Sequence, residues 1–142
     1  MSACQIAGEA RSWIGTPYLH QASVKGAGAD CLGLIRGVWR AVRGAEPTLV
    51  PAYTADWAEP ARDEVLWRSA AQWLIEHDRA DERVGDVLLF RMARGAVAKH
   101  LGIQVEVGAN ARFVHAYSRH GVVESALSLP WRQRVATRFS FP

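Results

Sequence analysis

The chain has little of what usually staples, anchors or charges a protein. Of its 142 residues only two are cysteine, Cys4 and Cys31. That count excludes a disulfide framework and fits a reducing compartment. Neither Cys-x-x-Cys nor His-Glu-x-x-His occurs, so no zinc-ligand spacing is present and the reading calls for no metal and no cofactor. No apolar run approaches the roughly 20 residues of a membrane-spanning helix, so no membrane insertion is expected. The opening residues lack a basic segment ahead of an apolar one, so no signal peptide is expected and the chain is made in the cytoplasm. The net charge of +3 comes from basic residues scattered singly. Without a compact basic stretch carrying interleaved aromatics, nucleic acid is not an expected partner. Repeats, low-complexity tracts and linkers are also missing, so residues 1–142 read as one domain.

What is present is an ordinary globular composition, 49% hydrophobic and 22% charged, with six tryptophans, some of which would suit a glycan or peptide held in a cleft. The most informative stretch is Asp30-Cys31-Leu32-Gly33-Leu34-Ile35. Gly26 and Gly28 give a flexible approach, Asp30 is a good N-cap, and Cys31, Leu34, Ile35, Val38 and Val42 recur at helical spacing up to Gly44. A cysteine in the first turn meets unpaired N–H groups and the positive end of the helix dipole, so its pKa is expected to fall.

Ser2 caps an earlier helix with Ala3, Ile6, Ala7, Ala10 and Trp13 or Ile14 on its apolar face and Cys4 at its flank. Gly15-Thr16-Pro17 ends it. Residues 46–59 read as a loop pinned by Tyr53 and Trp57. Pro60 suits the start of a third helix through Val65, Leu66, Ala70, Trp73 and Leu74, ending near His77 as a solvated cation. From Asp81 the period changes. Val87 to Phe90 reads as a buried strand, Arg91 to Ala98 as a connection, and Leu101, Ile103, Val105 and Val107 as an alternating strand carrying His100. Strands follow at 112–117, 122–126 and 135–141, with an interruption at Pro130. Helices first and an antiparallel meander second make the class α+β.

A helix-borne thiol needs a base, and two of the five histidines, His100 and His115, lie on one predicted hairpin. His120 reads as surface. Thiol, base and base-orienting group make the triad of covalent catalysis. Gly102, on the face of His100, is expected to leave room for the Cys31 helix. Parity sets a condition on the triad. The two histidines are 15 apart, so they share a face only across an even connection or with a bulge in the hairpin.

In order along the chain, Trp13-Ile14-Gly15-Thr16-Pro17-Tyr18, Asp30-Cys31-Leu32-Gly33-Leu34, Gly85-Asp86-Val87-Leu88-Leu89-Phe90, His100-Leu101-Gly102-Ile103 and Phe113-Val114-His115-Ala116 resemble the successive motifs of NlpC-type cell-wall cysteine peptidases. Residues 15–23 followed by 30–34 are most similar to the phage and prophage branch. The resemblance implies a papain-like fold and hydrolysis of peptide bonds in peptidoglycan stems, typically between γ-D-glutamate and diaminopimelate. By position it implies Cys31 as nucleophile, His100 as base, His115 as the third polar residue, Tyr18 as a site-lining group that helps hold the oxyanion, and Asp30 as the acid before the nucleophile. It also implies stem peptides and phage tail proteins as partners, with action at the wall after delivery by a virion or lysis. Leu32 stands where the commoner pattern has serine, and Leu19-His20-Gln21-Ala22 replaces Arg-Trp-Gly-Gly. Two other functions fit the same residues: a non-enzymatic tail-assembly module, or a thiol amidase acting on another amide or ester.

Overall fold

The computed structural model describes residues 2–47, Tyr53 and 63–142. Helix α1 spans Ala3–Arg11 behind a capping box in which Ser2 Oγ accepts from Gln5 N and Gln5 Oε1 accepts from Ser2 N. Ile6, Ala7 and Ala10 are buried, and past the helix end the apolar face continues through Trp13 while Ile14 stays exposed. The glycine-rich approach contains a small hairpin, β1 (Ser23–Val24) and β2 (Gly28–Ala29), turned at Gly26 with φ +83°. Its two-residue strands carry too little alternation to be read from sequence.

Helix α2 spans Cys31–Arg43, starts on Asp30, whose Oδ1 accepts from Gly33 N at 2.8 Å, and stops at Gly44. Cys31, Leu34, Ile35 and Val38 are buried as the helical spacing predicts. Gly33 and Gly37 are buried too, for a different reason. A Cβ on Gly33 would lie 1.8 Å from the Ala22 carbonyl oxygen, and one on Gly37 would lie 2.0 Å from the Trp13 ring.

Helix α3 spans Val65–Trp73, shorter than expected. Leu74 is extended and Ile75–His77 forms strand β3, because pairing with the C-terminal strand outweighs the local helical pattern. His77 therefore lies in a strand and not, solvated, at a helix end. Its side chain is 12% exposed and Nε2 lies 3.0 Å from Asp86 Oδ2. The expectations for Trp57 and Pro60 lie outside the described residues.

The remaining strands are β4 (Val87–Arg91), β5 (Ala98–Glu106), β6 (Arg112–Tyr117), β7 (Gly121–Ala126) and β8 (Val135–Ser140). With Arg91 and Ala98 inside strands, the connection between β4 and β5 is shorter than expected at both ends. Pro130 opens a short helix, α4 (Leu129–Arg134), rather than merely interrupting the chain; proline is tolerated in the first turn. The sheet order is β3-β8-β4-β5-β6-β7 and every pairing is antiparallel.

The sheet is buried on both faces, which is why Val87 to Phe90 reads as an unbroken apolar run. Val87, Leu89, Leu101, Ile103 and Val114 pack with Ile6, Leu34 and Val38 from α1 and α2. Leu88, Phe90, Phe113, Leu127 and Val135 form a second cluster on the other face, with Trp131 of α4 against it. Across β8, β4 and β5, Asp86 and Arg138, each 2% exposed, form a 2.8 Å ion pair, and Arg138 also donates to Gln104 Oε1. Among the described residues no helix is long and apolar enough to cross a membrane.

Candidate active site

Helix α2 packs on β5, and that contact decides where the Cys31 thiol goes. Its Sγ lies 3.8 Å from the Lys99 carbonyl oxygen, to which the thiol donates, and the Leu101 N–H is close enough to favour the thiolate. The sulfur is thus held by the backbone on both sides of His100. The thiol does not have the lowered pKa expected from its place in the first turn. Burial, and then the nearby Asp30, push it up to about 12. The N–H groups of Leu101, Leu32 and Cys31 act in the expected direction but are outweighed. At neutral pH the resting sulfur is a thiol.

The parity condition is met by a bulge. Ile103 pairs with Val114 and Gln104 with Phe113, but Glu106 pairs with Arg112, so Val105 is the extra residue. Five residues, 107–111, connect the strands, with a single 3-10 turn at Gly108–Asn110. That odd connection alone would have put the histidines on opposite faces. The bulge returns them to one face, and His100 Nε2 lies 2.8 Å from His115 Nδ1. Gly102 serves this pair rather than α2. A Cβ there would lie 2.9 Å from the Phe113 ring and 3.4 Å from His115 Cβ, so the bare position admits Phe113 and His115.

Both rings sit in an aromatic enclosure. Trp131 meets His100 and His115 at centroid distances of 5.9 and 5.2 Å, Phe90 meets His100 at 5.7 Å, and Tyr117 stacks on His115 at 5.2 Å. Burial, and then the charge of His115, push His100 down to about 3. Burial, and then His120, push His115 down to about 4. Two neutral imidazoles therefore face each other, each with one N–H and one lone pair. Such a pair can accept a thiol proton at one end while the second ring holds the tautomer of the first.

Tyr18 is half-buried and bridges to Ala29 beside the start of α2. Burial, and then Cys31 and Asp30, raise its hydroxyl to about 12, so it stays a neutral donor in reach of the thiol's field. Asp30 is committed elsewhere. Besides Gly33 N, its carboxylate accepts from Gln21 N at 2.7 Å and from the Tyr53 hydroxyl. His20 Nε2 and Gln21 Nε2 both meet the Tyr53 carbonyl, at 3.0 and 2.7 Å. Tyr53 itself docks on the cap of the helix that carries Cys31, whereas the rest of the loop it was expected to pin lies largely outside the described residues.

Sequence reasoning missed Ser125, Trp131 and Tyr117. His115 Nε2 lies 2.9 Å from Ser125 Oγ. The signal was available in the register of the next hairpin. His115 pairs with Val123 and Phe113 with Ser125, so Ser125 stands diagonally across from His115 on the same face. Trp131 gave no periodic signal, because its helix is six residues long. His120 is exposed, as expected, but its ring stacks on Tyr117 at 5.3 Å.

The profile of the NlpC/P60 family matches residues 15–139. Over 123 residues the chain is 30% identical to the murein DD-endopeptidase MepS/murein LD-carboxypeptidase of Escherichia coli K12, covering 86% of this chain and 54% of that protein. It is 25% identical over 131 residues to a probable endopeptidase of Haemophilus influenzae, covering 92% of this chain and 69% of that one. The chain thus spans about half the length of the E. coli relative. The NlpC/p60 domain of peptidoglycan hydrolase SagA superposes with a TM-score of 0.68 at 20% identity, covering 99% of this chain and 100% of that one. The helices packed on an antiparallel sheet share the papain-like fold of those structures. With motif order, architecture and profile in agreement over most of its length, the chain belongs to the NlpC/P60 family.

Proposed function

We propose that this chain is a cysteine peptidase that hydrolyses peptide bonds in the stems of bacterial peptidoglycan. The observation that carries the reading is the buried His100–His115 hydrogen bond, on a strand whose backbone grips the Cys31 sulfur. Because thiol and imidazoles are neutral at rest, the proton moves as the substrate reacts. Cys31 Sγ attacks the scissile carbonyl while His100 Nδ1 takes the thiol proton, and His115 stabilises the imidazolium by accepting its Nε2–H. Backbone N–H groups at the start of α2 and the neutral Tyr18 hydroxyl serve the oxyanion. Collapse releases the amine, protonated by His100, and leaves a thioester that water hydrolyses with His100 as base.

The finer reading is cleavage between γ-D-glutamate and diaminopimelate by a phage- or prophage-encoded enzyme that a virion or lysis delivers to the wall. A second reading of the bond follows from the E. coli relative, whose name specifies a DD-endopeptidase. Digestion of purified peptidoglycan, with mass spectrometry of the products, tests both. Wild type should release stem fragments and Cys31→Ala none, with a thermal midpoint within a few degrees of wild type. Termini at γ-D-glutamate support the first bond and termini at a cross-link the second. Intact peptidoglycan would leave the amidase on another substrate or the tail-assembly module.

A further inference from the structure

We infer that Ser125 is a positioning residue of the histidine pair: its hydroxyl accepts the His115 Nε2–H and so sets the tautomer of both rings. The inference rests on reading His100 as the base for Cys31.

Three polar groups form a short chain. His100 Nε2 meets His115 Nδ1 at 2.8 Å, and His115 Nε2 meets Ser125 Oγ at 2.9 Å. A neutral imidazole carries one N–H, so only two arrangements keep both bonds. In the outward arrangement His100 donates to His115 and His115 donates to Ser125, which leaves His100 Nδ1 as a bare lone pair. In the inward arrangement Ser125 donates to His115 and His115 donates to His100, which puts a proton on His100 Nδ1. Only the outward one leaves His100 able to take a proton from sulfur.

The reaction needs the outward arrangement, and the surroundings of Ser125 permit it. His100 Nε2 is taken up by His115, which leaves Nδ1 as the ring nitrogen free to face the thiol. Ser125, at the other end, is only half-buried, so its hydroxyl hydrogen can point to water while its oxygen accepts from the ring. Asparagine or aspartate beside a single histidine would orient it unaided. A second histidine can donate or accept, and so can the serine, whose half-buried hydroxyl fixes the direction by turning its hydrogen to water.

Valine and threonine, both β-branched and suited to a strand, separate the hydroxyl from the packing at this position. Long-range proton–nitrogen correlation spectra of the full chain, labelled at histidine nitrogen, report which ring nitrogen is protonated. Turnover on peptidoglycan is measured in parallel. Wild type and Ser125→Thr should show both rings protonated at Nε2, with kcat values within about threefold of each other. Ser125→Val should gain the Nδ1–H form of His115 and lose about tenfold in kcat, with KM within about twofold. Nδ1–H on either ring of wild type would overturn the inference, as would a Ser125→Val protein with unchanged spectrum and kcat. Should that variant fail to fold, the spectra of wild type and Ser125→Thr decide. The expected spectra without any peptidoglycan turnover would uphold the assignment of Ser125 and sink the peptidase reading instead.

Discussion

Lowering the pH from 8 to 5 should remove about 4 kcal/mol of stability through the two buried histidines alone. In the unfolded chain each imidazole takes up a proton near pH 6.5. In the native protein burial holds His100 down to about 3 and His115 down to about 4. Between those limits the unfolded state binds more protons than the native one, so stability is complete above pH 6.5 and falls as the pH drops. At pH 5 the ratio of protonation factors is about 30 for each ring, or ~2 kcal/mol each. The sum is a large part of the 5–15 kcal/mol that typically holds a domain together, and corresponds to ~10 °C in the midpoint. Carboxylates do not confuse this window. Arg11 holds Glu124, and Arg83 holds Asp81, below their usual range, so their losses come at lower pH. Urea unfolding of wild type and of the double variant His100→Gln, His115→Asn at pH 8, 6.5 and 5 measures the effect. The double variant should lose about 4 kcal/mol less than wild type between pH 8 and 5. An equal loss in the two proteins would refute the assignment of the acid lability to this pair.

The elements that carry the site were legible because each had a local cause. Asp30 and Gly44 bound α2, the apolar stripe from Cys31 to Val38 faces the core, and the strand at 112–117 has the predicted limits. The parity of His100 and His115 could be posed as a condition, but sequence could not choose between an even loop and a bulge. The choice lies in Val105, a residue with no turn chemistry of its own. The lowered thiol pKa was the clearest error. Capping and dipole are local and readable, whereas burial under β5 is tertiary, and burial is the larger influence. The strand at Ile75–His77 was hidden for the same reason, since its partner lies at the other end of the chain. Ser125 escaped because a serine on a strand carries no signal until the register places it diagonally across from a histidine.

His115→Asn should keep about a tenth of wild-type kcat, because the amide oxygen can still accept the His100 Nε2–H. His115→Leu should fall at least ~10-fold further, and steady-state rates that drop equally would exclude the orienting role. The packing around α2 gives a sharper test, because one substitution should carry opposite signs at two glycines. Exchange to alanine in a helix ordinarily gains about 1 kcal/mol. At Gly8 a new Cβ meets nothing within 4 Å, so Gly8→Ala should gain most of that. At Gly37 the Cβ would lie 2.0, 2.4 and 2.8 Å from three carbons of the Trp13 indole. That ring is 3% exposed, its Nε1 donates to Glu9 Oε2 at 3.1 Å, and Lys25 Nζ lies over it, 5.8 Å from its centroid. It cannot withdraw without breaking those contacts, so overpacking of about 1–3 kcal/mol exceeds the helix gain. Thermal unfolding should therefore rank Gly8→Ala above wild type and Gly37→Ala below it. A Gly37→Ala midpoint at or above wild type would mean that Trp13 is not wedged against α2.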